Sequence, residues 1–257
     1  MDIRPGSKVS INPQDDRTRE KRIEGIVAEV LTRNLNHPHG VKVKLETGEI
    51  GRVKELKALA QSASQATQPL NSEVDIARIV AEGESQTLEF KTSAMWSKFF
   101  TKEQINTAKS YELSAYGQRA SYFILAKSIA GFANAGGGRL IIGVKEQKDS
   151  ENVETVGIDS EFQKLRDPTV DGYRRMLVDE VVSKYLPNFL LHHLSDHLEL
   201  TFPTISHSRV CVVAVKPSDQ PVFLTSKKEQ FFVRIDASTR EITGQDVLNY
   251  CHKRFRP

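Results

Sequence analysis

The chain has 257 residues, 39% of them hydrophobic and 27% charged, with a formal net charge of +3. That is enough apolar material for a packed core and enough length for two domains. No run approaches the roughly 18 apolar residues of a membrane helix, and the polar start Met1-Asp-Ile-Arg-Pro5 does not read as a secretory signal. The two cysteines, Cys211 and Cys251, have no metal-type spacing and read as thiols of a reducing compartment, so a cytoplasmic protein is expected. Residues 1–60 carry the whole +3 and the remainder sums to zero, which assigns any net attraction to polyanions to the first quarter.

The first segment, 1–57, holds short alternating β-branched runs: Lys8–Asn12, Gly25–Leu31, Val41–Leu45 and Gly51–Lys54. Pro5, the stretch Asn36-His-Pro-His-Gly40 and Thr47-Gly-Glu49 break them, a pattern that predicts a small antiparallel barrel or curled sheet. Within Val41–Leu45 both lysines fall on the face opposite the apolar residues, giving a basic strip toward water. Residues Asp15–Arg22 read as a solvated loop whose four cations could also follow a phosphate backbone. His37 and His39 flank a proline, but a polar turn accounts for them better than a metal site because no third ligand lies near in sequence. The whole segment resembles the short YwbE family in Pro5-Gly6, Gly25-Ile-Val27, His37–Gly40, Val41-Lys-Val43 and Gly48–Val53. The resemblance implies a compact barrel akin to SH3 and KOW modules, with no activity attached.

Residues 58–72 are uncharged and rich in Ala, Ser and Gln, the composition of a linker. Beyond it, 73–257 mixes helices and strands without regular alternation, which predicts an α+β domain. Glu73–Ala81 forms an amphipathic helix closed by Gly83, and Thr87–Lys91 alternates as a strand with Leu88 and Phe90 on one face and Glu89 and Lys91 on the other. A strong helix over Ser121–Asn134 runs into Gly136–Gly138 and the buried strand Arg139–Val144. Asp171–Tyr185 is a further helix. Phe189–Phe202, Arg209–Lys216, Val222–Thr225 and Gln230–Ile235 read as strands, and Thr243–Phe255 as a closing helix with Thr243 as its N-cap.

The chemistry-bearing pattern begins with Glu84 and Glu89, five residues apart. On a straight strand they face opposite sides, and on a helix they lie about 140° apart. They can converge only if Glu84 sits on the turn before the strand carrying Glu89, which Gly83 permits. The glycine run has two readings: a helix end that needs positive φ and close packing, or a phosphate cradle. It follows a helix and lacks the Lys-Ser/Thr of a P-loop, which disfavours nucleotide (ATP) binding.

Taken together, Glu84, Glu89-Phe-Lys91, Phe132-Ala-Asn134, Gly137-Gly138, Ile142-Gly-Val144 and Glu146 resemble the Schlafen AlbA-like family. Val156–Asp159 and the late Phe232-Val-Arg-Ile-Asp-Ala-Ser-Thr-Arg240 extend the resemblance across residues 76–246. It implies an AlbA-like α+β fold, an RNA partner, structured RNA such as tRNA or else DNA, and a carboxylate trio of Glu84, Glu89 and Glu146 that would hold Mg2+ or Mn2+ for endoribonuclease cleavage. Three departures stand out. Glu146 replaces an Asp and carries its carboxylate roughly 1.5 Å further out, Ala135-Gly136 replaces a Thr and a polar residue, and Ile235-Asp236 replaces Val-Gly.

Lys91, Lys98, Arg139, Arg234 and Arg240 are the expected nucleic-acid contacts, with Lys253, Arg254 and Arg256 as a basic tail. Trp96, Phe99 and Phe100 beside Lys98 either stack on unpaired bases or form a hydrophobic flap. Glu89 could equally be a structural partner of Lys91 or of a neighbouring strand. Because the relatives that cut RNA use two such lobes and this chain has one, a homodimer is expected. The alternative to the nuclease is a regulatory nucleic-acid-binding module without catalysis.

Overall fold

A computed structural model describes residues 8–13, 22–32, 41–45, 47–56, 73–81, 83–146, 153–205 and 207–255, and the chain divides into two compact units, Met1–Ser62 and Ala63–Pro257. Features singled out in the sequence that lie outside the described residues are Pro5-Gly6, the loop cations up to Lys21, the His37/His39 turn, the uncharged stretch 58–72 and Arg256. Among the described residues, no helix is long and apolar enough to cross a membrane.

The first unit is a closed antiparallel barrel of β1 (Lys8–Pro13), β2 (Ile23–Val30), β3 (Lys42–Leu45) and β4 (Ile50–Leu56). Register shifts at Ser10/Ile11 and Val27/Glu29 bend the strands and raise their twist, which lets so few short strands close. Val9, Ile11, Val27, Val43, Leu45 and Val53 fill the interior. Gly51 crosses directly over β1, where a Cβ would come within 2.2 Å of the Asn12 carbonyl oxygen, so no other residue fits. Lys44 is exposed and Lys42 half-buried, as the alternation in this strand predicts.

The second unit is built on a four-stranded sheet ordered β5-β6-β12-β9, from Leu88–Lys91, Gly138–Ile142, Cys211–Val215 and Leu198–Thr201, with β10 (Thr204–Ile205) and β11 (Ser208–Arg209) paired as a short hairpin between β9 and β12 in sequence. Only β5 and β6 run parallel, and a parallel pair needs a crossover. The crossover passes through a long helix, α2 (Ala120–Asn134), while α1 (Glu73–Ala81) precedes β5. Ile76 and Val80 of α1 cover one sheet face with Leu88, Phe90, Ile141 and Val212. Helix α2 covers the other face and is itself covered by the antiparallel meander β13 (Phe223–Thr225), β14 (Glu229–Ile235) and β15 (Ser238–Ile242). A helix packed on two sides is apolar nearly all round. It approaches β15 so closely at Gly131 that a Cβ there would lie 2.6 Å from Thr239 Cγ2.

At the end of α2 the fully buried Asn134 joins three segments. Its Nδ2 donates to the carbonyls of Val222 and Phe232, both at 2.8 Å, and its Oδ1 accepts from the Val222 N–H at 2.8 Å. The glycine run then serves the turn. Gly137 has φ +79°, a Cβ on it would meet the Val215 carbonyl oxygen at 2.7 Å, and one on Gly138 would enter the Phe132 ring.

Gly143, with φ +100°, then breaks the expected strand Arg139–Val144, so that β7 (Val144–Glu146) departs to pair with β8 (Val153–Thr155). The expected strand Phe189–Phe202 is corrected: Asn188–His192 and Leu194–His197 are helical turns, and only Leu198–Thr201 is a strand. Leu190 and Leu194, four apart, pack inward together, which is helical spacing. The closing helix, α4 (Gln245–Arg254), is capped by Gly244 at φ +57° with no side-chain bond, so Thr243 is not its N-cap. The remaining long helix, α3 (Val170–Leu177), does have a Thr cap, Thr169, and continues through a π-helical turn, Val178–Val182, to Ser183–Tyr185. Replacing Gly137 with Ala is expected to destabilise this unit by about 1–3 kcal/mol in urea denaturation; an unchanged midpoint would contradict the close-packed turn.

Candidate nucleic-acid site around Glu84, Glu89 and Glu146

Gly83 ends α1 with φ +76°, and the chain makes a tight turn in which Ser85 N–H donates to Leu88 O at 3.0 Å. Glu84 therefore lies on the turn preceding β5, the placement its convergence with Glu89 requires. Its Oε1 accepts the Phe90 N–H at 2.7 Å, taking a donor on the open edge of β5.

Glu89 points from β5 toward α2 and is buried. Its Oε1 receives Lys91 Nζ at 2.6 Å and the Ser128 hydroxyl at 2.9 Å. Its Oε2 receives Arg234 Nη1 at 2.6 Å and the Thr239 hydroxyl at 3.4 Å. A carboxylate offers about four lone-pair positions, and here four donors occupy them.

Arg234, 3% exposed, is satisfied just as fully. Besides Glu89 and Thr239 Oγ1, its guanidinium donates to the Ser85 carbonyl from Nε at 3.3 Å and from Nη2 at 2.8 Å, and to the Leu88 carbonyl at 2.8 Å. The guanidinium carbon lies 5.1 Å from the centre of the Phe132 ring. Gln86 closes the contact from the other side: its Nε2 donates to Arg234 O at 2.9 Å and its Oε1 accepts from Asp236 N–H at 2.7 Å. Asp236 takes φ +55° in the β14–β15 turn, so the position where the resembled family has Gly keeps a left-handed conformation, one that Asp tolerates.

These surroundings set the two acids apart. Burial pushes the Glu89 carboxyl up, but Lys91, Arg234 and the Ser128 hydroxyl outweigh it and hold the group below the usual carboxylate range. Glu84 goes the other way. Burial raises it, and although the Phe90 N–H and Lys91 oppose that, the negative charges of Glu146 and Glu89 add to the rise. Glu84 thus senses both other members of the trio, and the three acids share one neighbourhood.

Sharing a neighbourhood does not make a ligand set. Glu89 has its lone pairs engaged, Glu84 spends one oxygen on the backbone, and Glu146 is exposed on β7. Among the described residues no group of three or more His, Cys, Asp or Glu side chains is arranged to hold a metal ion. In this arrangement the cation beside Glu89 Oε1 is the Lys91 ammonium.

The five expected nucleic-acid contacts separate. Arg234 is the buried partner of Glu89, and Lys91 is tied to the same carboxylate. Arg139 is 7% exposed and sits opposite Leu88 in the β5–β6 register, on the α1 face of the sheet and not on the face of Glu89. Burial lowers its pKa, and Glu199 counters that. Lys98 is half-buried and Arg240 exposed, so these two reach solvent. Sequence reasoning missed Gln86, Ser128 and Thr239, whose partners lie 148, 39 and 150 residues away; only the Ser-Thr of the late segment had pointed toward Thr239.

A barrel followed by an α+β unit, with an acidic turn latched to a C-terminal hairpin, defines the class. Residues 84–243, more than half of the sequence, match the family described as Schlafen, AlbA_2, and the chain belongs to that family. The family points to a nucleic-acid partner. Residues 1–56 match the family described as Uncharacterized conserved protein (DUF2196). The uncharacterized protein YwbE of Bacillus subtilis (strain 168) is 41% identical over 54 residues, which are 21% of this chain and 83% of YwbE. The crystal structure of the DIP2311 protein from Corynebacterium diphtheriae is similar over 75% of this chain at 14% identity and a TM-score of 0.44, and this chain spans 33% of that protein.

Arg234→Met is expected to lower stability by roughly 3–5 kcal/mol, because it strands a buried carboxylate; a loss under 1 kcal/mol in denaturant titration would contradict the latch. The two acids should differ in sign. Glu89, depressed in the fold, contributes stability above its unfolded pKa of about 4.3 that disappears as pH falls through its folded value. Glu84, raised in the fold, contributes below its unfolded pKa and loses that contribution as pH rises through its folded value. At pH 7 Glu84→Gln should therefore raise Tm and Glu89→Gln lower it; shifts of equal sign would contradict the assignment.

Proposed function

We propose that this chain is a nucleic-acid-binding protein, with RNA as its first partner, and that in the arrangement described it binds without cutting. The observation that carries the reading is the engagement of Glu89 by Arg234, Lys91, Ser128 and Thr239, which uses the central carboxylate to hold the fold. Family membership supports nucleic acid as the partner. The exposed Lys44 of the barrel and the solvent-reaching Lys98 and Arg240 supply cations for phosphates. Both cysteines are free thiols, in keeping with a reducing cytoplasmic setting.

A second reading is favoured by one specific observation, the influence of the Glu146 and Glu89 charges on Glu84. In it the chain is a metal-dependent endoribonuclease acting on structured RNA such as tRNA, working as a homodimer. Mg2+ or Mn2+ would stabilise charge on the phosphate, and this chain's part would be to release Lys91 from Glu89 and to turn Glu146 inward. The two readings separate on total tRNA with Mn2+ or Mg2+. The binding reading predicts a gel shift with intact tRNA for the native protein and for Glu84→Gln and Glu146→Gln, two changes that leave the Arg234 latch in place. Metal-dependent cleavage lost in both variants would overturn it in favour of the nuclease.

A further inference from the structure

The aromatic stretch after β5 divides into a packed part and a presented part. Trp96 and Phe100 are half-buried and meet edge to face, 5.7 Å apart at 72°. Phe99 is 51% exposed, with Lys164 Nζ 4.8 Å and Lys98 Nζ 6.0 Å from its ring centre. We infer that Phe99, with these two lysines near its ring, is a stacking platform for an unpaired base of a single-stranded nucleic acid; this rests on the nucleic-acid-binding reading and specifies its ligand.

The backbone beneath the ring is fixed from both sides. Before it, the buried Glu161 carboxylate accepts the Ser93 hydroxyl, the Met95 N–H at 3.2 Å, the Ala94 N–H at 3.4 Å and the Tyr173 hydroxyl at 2.7 Å. The fully buried Ser97 donates its hydroxyl to Gln118 O at 2.9 Å and accepts the Ser121 N–H at 2.9 Å. After it, Gln118 Nε2 donates to Phe100 O at 2.9 Å, and Thr101 caps the short helix Lys102–Asn106.

An exposed Phe on a mobile loop would pay ordering entropy on binding, whereas this one is already positioned. The chemistry is complementary to one ligand class. An aromatic face stacks on any base, and the two ammonium groups, 4.8 and 6.0 Å from the ring centre, are close enough to meet phosphates beside that base. A duplex keeps its bases stacked on one another and can use only the lysines.

Trp96 is the sole tryptophan, so its fluorescence reports on this loop alone. The full chain is titrated with oligo(U) and oligo(dU) strands of roughly ten nucleotides and with a duplex of the same length, and the two single strands tell RNA from DNA. Expected are a change in Trp96 emission with at least one single strand, a loss of about tenfold in that affinity in Phe99→Ala, recovery in Phe99→Tyr, and duplex binding the same in both variants. Single-strand binding undiminished in Phe99→Ala would overturn the platform and leave the nucleic-acid reading standing. Binding to none of the probes would overturn both. Phe99 is exposed, and matching thermal melts of the variants exclude misfolding as the cause of any loss.

Discussion

The Arg234–Glu89 ion pair is the constraint on which the second unit is organised. Two charges taken out of water repay their desolvation only when geometry is good and every remaining donor and acceptor is used. Both conditions are met: the carboxylate takes four donors, and the guanidinium spends its N–H groups on Glu89, Thr239 and the carbonyls of Ser85 and Leu88. The pair therefore joins three elements distant in sequence, namely the turn before β5, helix α2 through Ser128, and the β14–β15 hairpin. Gln86 repeats the connection with neutral groups. The Glu-Phe-Lys stretch and the Val-Arg…Ser-Thr stretch that carry the family resemblance are thus two halves of one contact.

This constraint assigns different work to three residues of the same type. Glu89 is structural, ionised and enclosed. Glu84 is half-buried, its pKa pushed up by burial, with one oxygen accepting the Phe90 N–H on the open edge of β5. Glu146 stands in solvent after the Gly143 bend. The neighbourhood is compact and acidic, yet its central cation is a lysine. A polyanion approaching it would meet the exposed Glu146, whereas Phe99, on the loop that follows β5, has two lysines near its ring.

Much of this was legible in the sequence, and the remainder was hidden for definable reasons. The alternation in Val41–Leu45, the long helix ending at Asn134 and the glycine turn all follow from local periodicity and backbone sterics, and the barrel and the Schlafen-type unit follow from their motifs. Glu84 had to precede the strand for geometry to allow convergence, and it does. Side-chain orientation across the sheet was not legible: Arg139 and Glu89 sit on neighbouring strands, but the parallel register pairs Arg139 with Leu88 and sends it to the opposite face. Arg234 looked like a surface cation because nothing local reveals that its partner lies 145 residues earlier. In Phe189–Phe202 a short apolar run fits both periods, and the inward packing of Leu190 with Leu194 settles the first part as helical.

The account is tested most directly by a double-mutant cycle between Glu89→Gln and Arg234→Met, read by denaturant unfolding at neutral pH. Enclosure of one charge by the other predicts a coupling free energy of about 2 kcal/mol or more. Additive effects of the two substitutions, with coupling near zero, would show that the two side chains do not depend on each other and would return Glu89 to the pool of available metal ligands.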